Sequence, residues 1–297
     1  MPDHPGSVVG RVPAPALFLV SGLTQYLGAA LAVGLFSVVA PPTVAWLRIA
    51  VAAVVLLAWR QPWRARWTRR DLVAVASFGA VLAAMNVTFY LAIDRLPLGT
   101  AVAIEFVGPV AVAAITGRGR RERAGIALAA AGVVLLAGVT LERGAGPDVV
   151  VGLIAIGAAA ACWAGYIVLG RRVALHGSGV TSLSLAMAAG AVVFAPFLAA
   201  GAAPILRDWR LALAVLGIAV LSSVIPYAIE QVVLRRVSTA TFAVLLAMLP
   251  AAAAIVGAIA LRQFLSAPEL AGLLAVSGAI ALTSTRTPPP HSGRGAR

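Results

Sequence analysis

Two stretches of this chain, YLAIDRLPLGTAVAIEFVGP (residues 90–109) and QVVLRRVSTATFAVLLAMLP (residues 231–250), align at a constant offset of 141 residues. The alignment pairs identical residues in the two stretches: Arg95 with Arg236, Thr100 with Thr241 and Pro109 with Pro250. Duplicated blocks of apolar helix are a common way to build membrane carriers, whose substrate lies where the two copies meet. The repeat therefore favours a carrier made of two related halves.

The composition of the chain is that of a membrane protein. It has 297 residues, of which 61% are hydrophobic and 11% charged, with a mean hydropathy of +0.99. Soluble domains carry about 25% charged residues. Charge clusters between ten apolar stretches, each long enough at about 1.5 Å per residue to cross or nearly cross a bilayer core of about 30 Å. These predicted spans are residues 14–36, 43–59, 71–93, 98–116, 122–140, 149–171, 180–200, 209–234, 239–261 and 268–284.

The predicted fold is an all-α integral membrane protein with ten transmembrane helices, arranged as two five-helix repeats of inverted topology. Residues 1–13 form an amino-terminal tail, 14–140 the first repeat, 149–284 the second, and 285–297 a disordered tail rich in proline and glycine. The first apolar run is longer than the hydrophobic region of a signal peptide, so we expect a retained helix rather than a cleaved signal.

The arginines predict how the chain lies in the membrane. All 23 basic residues are arginine. With a cytoplasmic amino terminus, 17 arginines fall on the cytoplasmic side and 5 on the other, while Arg48 lies within a span. This bias predicts that both termini are cytoplasmic, in a plasma membrane of the bacterial type. The arginines follow whichever loop faces the cytoplasm in each half, which is the expected behaviour of an inverted repeat.

Several function classes lack the residues that they need. The arginines lie in short loops rather than one continuous patch, which argues against nucleic acid as a partner. Cys162 is the only cysteine, and the three histidines lie in tails or a loop, so no disulfide framework or metal site is expected. The motifs HExxH, GxSxG and GxxxxGK[ST] are absent from the sequence, so we expect neither an enzyme nor a cofactor.

Two carboxylates are the leading candidates for chemistry. Glu105 lies in the middle of the fourth predicted span, where a charged carboxylate must be protonated, paired or in contact with water. It is interpreted as a proton-coupling or amine-binding group, or alternatively as the ion-pair partner of Arg48. Glu230 lies near the end of the eighth span, where it either joins the same site or reaches toward Arg235 at the membrane surface.

Polar side chains occupy matching positions in the two halves. Asn86 and Tyr90 lie one turn apart on the third span, and Tyr227 and Gln231 take the corresponding positions on the eighth. They are expected either to line a polar cavity or to join helices by hydrogen bonds. Weaker candidates of similar depth on the first and sixth spans are Gln25, Tyr26, Trp163 and Tyr166.

Three prolines lie inside predicted spans: Pro109, Pro226 and Pro250. Each lacks a backbone donor and so loosens its helix, and interrupted helices often line carrier sites. We expect helix breaks at these positions, although each kink could equally serve shape alone.

Five stretches of the sequence together carry a family resemblance: NVTFYLAIDRLPLGTAVAIEFVGPVAVA (86–113), PPTVAWLRIA (41–50), QPWRARW (61–67), ACWAGYIVLGRR (161–172) and SSVIPYAIEQVVLRRVSTATFAVLLAMLPA (222–251). On these stretches the sequence resembles the EamA family of the drug/metabolite transporter superfamily, in its threonine/homoserine exporter branch. The resemblance covers nearly all ten predicted spans. The sequence differs from the branch pattern where Met248-Leu249-Pro250 and Arg262-Gln263 replace motifs with a glutamate.

The resemblance implies a ten-helix exporter of amino acids or related metabolites that works by proton antiport, with acidic groups at Glu105 and Glu230. The expected partners are a small-molecule substrate and the lipid bilayer, with a homodimer as an option. The alternatives are a multidrug or amine exporter of the same fold and a membrane scaffold that transports nothing.

Overall fold

The computed structural model describes residues 12–116, 119–142, 144, 146–174, 179–237, 241 and 245–284. The predicted tails lie outside these residues, except for Val12 and Pro13. All regular structure within the described residues is helical. The α-helices are, in chain order, α1 (Ala14–Leu35), α2 (Pro41–Arg60), α3 (Arg69–Ile93), α4 (Leu98–Glu105), α5 (Val107–Thr116), α6 (Arg120–Glu142), α7 (Pro147–Ala174), α8 (Gly179–Leu198), α9 (Ala203–Arg207), α10 (Trp209–Ala219), α11 (Ile225–Arg236), α12 (Leu249–Ala260) and α13 (Ala267–Ser284).

The helices have the length and surface of a bundle surrounded by lipid. Within the described residues, seven helical segments are long and apolar enough to cross a bilayer, and three shorter apolar helices accompany them. Large apolar side chains point outward, among them Val134, Ile259 and Phe197, which are 72%, 78% and 80% exposed. Water would disfavour such a surface, whereas hydrocarbon does not.

The helices described in the structure depart from the ten uninterrupted spans predicted from the sequence at three places. The fourth span is broken at Phe106 into α4 and α5, and the eighth contains a π-helical segment, Val220–Val224, between α10 and α11. In the ninth span, predicted from residue 239, residues 245–246 are helical, a turn follows at residues 247–248, and α12 starts at Leu249, while residues 239–240 and 242–244 lie outside the described part. Apolar composition predicts where a span lies but carries no signal for a local change in its hydrogen bonding.

Helix α3 lies at the centre of the bundle, where it packs against α7 and α8. Its contact with α8 depends on two glycines. A Cβ atom at Gly79 would collide with the carbonyl oxygen of Ala186, and one at Gly190 with the carbonyl oxygen of Gly79. In lipid, helices associate largely through such close backbone packing.

We predict that Gly79→Ala lowers the free energy of unfolding by about 1–3 kcal/mol, since the added methyl group forces α3 and α8 apart. The matched control is Gly157→Ala on the exposed side of α7, where a Cβ atom meets nothing within 4 Å. The control should change stability by no more than about 0.5 kcal/mol. Unfolding of purified protein in mixed micelles, titrated with a denaturing detergent, measures both values. Equal losses in the two variants would contradict the packing argument.

Candidate functional site

A cavity of about 530 Å³ opens between the helices of the two predicted halves. Its volume lies within the range of about 300–1,000 Å³ that is typical of small-molecule sites. The cavity runs from the middle of the bundle toward the end where α1 and α3 begin and α7 ends. Its lining residues are Gln25, Tyr26, Arg48, Phe78, Leu82, Met85, Asn86, Phe89, Glu105, Pro109, Trp163, Tyr166, Ile167, Gly170, Ser182, Leu183, Ser222, Pro226, Tyr227, Glu230, Leu246 and Leu249.

Arg48 lies at the deep end of this cavity and is held by neutral groups. Its Nη1 donates to the Tyr90 hydroxyl at 3.3 Å, and its Nη2 donates to Asn86 Oδ1. The guanidinium also lies 5.4 Å from the centre of the Tyr90 ring. The Asn86 amide can turn only one way, because its Nδ2 donates to the Leu82 carbonyl at 2.7 Å and leaves the oxygen facing the arginine.

Glu105 faces the same cavity, but it does not pair directly with Arg48. Both residues are buried, with 8% of each exposed, and they interact electrostatically. Although both belong to the described part of the chain, no nitrogen–oxygen distance between them is 4.0 Å or less. The alternative interpretation of Glu105, a structural ion pair with Arg48, is therefore wrong for this conformation. A guanidinium and a carboxyl group therefore face one cavity without direct contact.

The break at Phe106 positions Glu105. Pro109 has no backbone N–H, so it cannot donate to the Glu105 carbonyl, which is its usual partner one turn earlier. Regular helical hydrogen bonds between residues four apart continue on either side of this gap. Phe106 N donates to Val102 O and Val110 N donates to Phe106 O, both at 3.2 Å. Glu105 thus ends α4 at a point where its main-chain oxygen lacks a helical partner and its side chain meets the cavity.

A second interruption lies on the other side of the cavity. The π-helical turn at Val220–Val224 precedes Pro226, and the Ile225 N–H reaches back to Val220 O. This turn packs against α1, where a Cβ atom at Gly28 would collide with the Ser222 hydroxyl. Single π-turns within helices occur often at functional sites. Pro226, Tyr227 and Glu230 follow this turn and reach the cavity.

Aromatic rings form the walls between these polar groups. Trp163 packs edge-on against Phe106 with ring centres 4.6 Å apart, and Tyr166 stacks on Phe78 at 4.6 Å. Tyr26 lines the cavity together with Glu105 and Glu230 and interacts electrostatically with both acids. The site therefore combines apolar walls with a few convergent polar groups, as ligand cavities generally do.

Most residues predicted for the site meet at this cavity. Nine predicted polar or aromatic residues line it, together with Pro109 and Pro226. Pro250 lies in the first turn of α12, where it is buried and does not line the cavity. The side chain of Gln231 lies outside the described residues. The nine residues are Gln25, Tyr26, Arg48, Asn86, Glu105, Trp163, Tyr166, Tyr227 and Glu230.

Tyr90 does not line the cavity and instead takes the alternative role expected for it, a hydrogen bond between helices, because its hydroxyl accepts from Arg48 on α2. Tyr90 is fully buried behind Arg48, where its ring packs against Phe36 and Phe89. Residues four apart on a helix differ by about 40° in direction, since a turn has 3.6 residues. That rotation places Asn86 at the cavity surface and Tyr90 one layer deeper.

Sequence reasoning did not find several lining residues, among them Met85, Ser182, Leu246 and Leu249. Met85, Leu246 and Leu249 are apolar residues inside apolar spans, where composition does not distinguish lining from packing or lipid-facing positions. Leu249 was marked only by its departure from a branch motif that contains a glutamate. Met85 and Phe89 flank Asn86 on one face of α3, and this spacing was the one signal that could have found them.

Comparison with known proteins gives three findings. Residues 150–285 match the EamA-like transporter family. The chain is 37% identical over 253 residues to the threonine/homoserine exporter RhtA of Escherichia coli K12 and to that of Salmonella typhimurium LT2, covering 85% of this chain and 84% of each relative. A crystal structure of another protein aligns with 90% of this chain and 95% of its own chain, at 19% identity and a TM-score of 0.56, and so shares the fold.

We predict that the cavity contains water and that a thiol placed in it reacts with a charged maleimide. Met85→Cys, made in a Cys162→Ser background, should be labelled to completion, because the thiolate that attacks the maleimide forms only where water reaches the thiol. Val134→Cys in the same background is exposed only to lipid and should stay unlabelled. Mass spectrometry of the labelled protein measures both. Labelling of both cysteines, or of neither, would contradict a wet cavity within a lipid-embedded bundle.

Proposed function

This chain belongs to the EamA-like transporter family, and from that premise we propose that it exports small amino acids of the threonine and homoserine type across a bacterial-type plasma membrane. It is a multi-pass membrane transporter, as its relatives are. The observation that carries the proposal is the cavity at mid-membrane depth, which holds a cation at Arg48 and an acid at Glu105 that are not in contact. The relatives named above are exporters of threonine and homoserine, which supports this class of substrate.

We propose that the bundle consists of two five-helix repeats of inverted topology. Helix contacts support this arrangement, because they recur when each helix is exchanged for its counterpart in the other half. The contact of α3 with α7 corresponds to that of α1 with α11, and the contact of α5 with α7 corresponds to that of α1 with α12. Counterparts also pack on each other, namely α2 on α8, α4 on α12 and α6 on α13.

The family match supports the same division. It begins at residue 150 and ends at residue 285, within one residue of the second predicted repeat. Carriers of this kind place their substrate where the two repeats meet. The cavity lies there, since it is lined by helices of both halves.

We further propose that the cavity faces the cytoplasm in this conformation and that both termini are cytoplasmic. The positive-inside rule puts the arginine-rich loops on the cytoplasmic side. The cavity extends toward that same end of the bundle, at which α1 and α3 begin.

Contacts at the opposite end of the bundle close the path. The Leu98 backbone N–H, at the start of α4, donates to Gln263 Oε1 beyond α12 at 2.9 Å. Leu96 and Leu98 are buried beside it. Arg95 lies within 3.9 Å of Asp148, whose side chain is 91% exposed, so this pair adds little by itself. Export by alternating access requires these contacts to separate while the cytoplasmic end closes.

Proton antiport is the proposed source of energy. A carboxyl group within a membrane is neutral when protonated, and its charged form must be stabilised by water or by a cation. Glu105 can therefore hold either a proton or a cationic substrate amine, but not both together. Competition between the two at one carboxylate is sufficient to couple their opposite movements.

A second candidate function is export of hydrophobic amines by the same fold. It is favoured by the aromatic walls and by the two acids, Glu105 and Glu230, since cations bind both carboxylates and ring faces. Arg48 disfavours it, because a buried guanidinium repels a ligand that carries only positive charge. Growth protection against hydrophobic cations, with no amino-acid flux from purified protein, would favour the amine exporter.

We predict that Glu105→Gln abolishes proton-driven export, because the amide cannot bind and release a proton. The measurement is flux of radiolabelled threonine and homoserine in proteoliposomes with an imposed pH gradient. Flux through the variant should fall to that of protein-free liposomes, whereas Glu142→Gln, an exposed residue at the end of α6, should match the wild type. If Glu105→Gln keeps a flux that responds to the pH gradient, Glu105 is not the coupling group.

The proposed orientation predicts which side of the membrane reaches the cavity. In the Cys162→Ser background, Met85→Cys should react with an impermeant charged maleimide in inside-out vesicles and resist it in intact spheroplasts. Asp148→Cys, on the exposed start of α7, should show the opposite pattern. Reversed labelling of the pair would mean that the arginine bias predicts the topology wrongly.

A further inference from the structure

The geometry at the deep end of the cavity points to Arg48 as the binding group for the substrate carboxylate, with Glu105 as the partner of the substrate ammonium. We infer that the site is selective for zwitterions, which carry both charges. This inference rests on the proposed function and specifies its substrate class. The inference depends on three features: the unsatisfied hydrogen-bond donors of Arg48, the neutrality of the groups that hold Arg48, and the separation of Arg48 from Glu105.

Arg48 has donors left over for a ligand. A guanidinium carries five N–H groups in a planar fork that matches a carboxylate. Only two of them donate to described residues, one to Tyr90 and one to Asn86. Its Nε is buried without a hydrogen-bond partner, and the Arg48 residue as a whole is only 8% exposed. A buried guanidinium with unused donors beside a cavity is a site prepared for an anion.

The groups that hold Arg48 leave its charge intact. Tyr90 and Asn86 are neutral, and each is itself fixed, Asn86 by the Leu82 carbonyl and Tyr90 by burial among aromatic rings. These two are positioning residues, since they orient the guanidinium and supply no countercharge. A structural arginine would be expected to have a carboxylate in contact, because buried charges in proteins are normally paired.

Glu105 completes the recognition of a zwitterion. It faces the same cavity and interacts electrostatically with Arg48 without touching it. Glu230 has no comparable interaction with Arg48 and lies near the cytoplasmic end of α11, so it is the weaker choice for the ammonium. An α-amino acid carries its carboxylate and ammonium on one carbon, so it can bridge a cation and an anion that do not meet.

This arrangement also explains selection against singly charged solutes. An amine without a carboxylate would bind Glu105 and leave Arg48 as an uncompensated charge. A carboxylate without an ammonium would satisfy Arg48 and leave Glu105 to take a proton. Only a solute with both groups satisfies both residues at once, and the loss of one charge-assisted contact lowers affinity by about 10- to 100-fold.

The experiment compares threonine with its amide and with its decarboxylated amine, isopropanolamine, as competitors for the binding of labelled threonine to detergent-purified protein, and flux in proteoliposomes is measured alongside. The wild type should favour threonine by about 10- to 100-fold over both analogues. Arg48→Gln should lose this preference, and Arg48→Lys should keep part of it, since lysine retains the charge but not the fork. Arg210→Gln, an exposed arginine near the start of α10, is the matched control and should keep the full preference.

A crossed comparison separates the two ends of the substrate. The hydroxy-acid analogue of threonine lacks the ammonium, so discrimination against it should weaken in Glu105→Gln and persist in Arg48→Lys. If Arg48→Gln does not fold, as judged by gel filtration, Tyr90→Phe takes its place, because it removes one of the two contacts that hold the guanidinium. Its preference for threonine over the amide should fall.

The possible outcomes are distinct. A wild type that moves threonine and its amide equally overturns the inference and leaves the export of amino acids standing. Arg48 variants that lose flux but keep the full preference for the acid show a structural role, which also overturns it. A wild type that moves no amino acid at all refutes the proposed function, and the inference falls with it.

Discussion

The bilayer offers no water to a free backbone group, and this constraint governs where the bundle can be irregular. A helix surrounded by lipid must satisfy each N–H and C=O internally. The helix that carries Glu105 breaks at Phe106, and the helix that carries Glu230 widens into a π-turn at Val220–Val224. Both interruptions adjoin residues that line the cavity. Irregular backbone therefore occurs beside a polar interior that can accommodate it.

The same constraint explains how the charged groups are held. A buried arginine in direct contact with Glu105 would be stable, but the pair would occupy the donors and acceptors that a substrate needs. Tyr90 and Asn86 instead hold Arg48 with neutral oxygens, and the charges remain apart. A carrier must also release what it binds, so weak neutral support for each charge suits its task better than a strong internal ion pair. The aromatic walls limit how much water shares the site.

The sequence predicted the positions of the helices better than the details of the site, for physical reasons. Hydropathy dominates the energy of a membrane segment, so the ends of α2, α3 and α7 lie within a few residues of their predicted positions. The π-turn was not predicted, because it begins six residues before Pro226 and no residue in Val220–Val224 requires it. The sequence left two roles open for Tyr90, and the rotation of about 40° between residues four apart on a helix decides between them. The relation of Arg48 to Glu105 depends on how α2 packs beside α4, which is tertiary information that local pattern does not carry.

The distribution of the apolar core indicates which parts could move as units. One buried cluster joins α2, α3 and α8, with Ile49, Leu82 and Met187 among its members. A larger cluster includes residues of α1, α4, α5, α12 and α13 and also takes in other parts of α2 and α3, among them Val44 and Tyr90. Phe78 and Leu82 of the first cluster and Tyr26 and Leu249 of the second all line the cavity. Gly79 and Gly190 bring α3 and α8 into close backbone contact, which favours movement of these two helices as a unit. Under the proposed alternating access, a movement of α2 relative to α4 would change the separation of Arg48 and Glu105, and so would change how well a zwitterion fits between them.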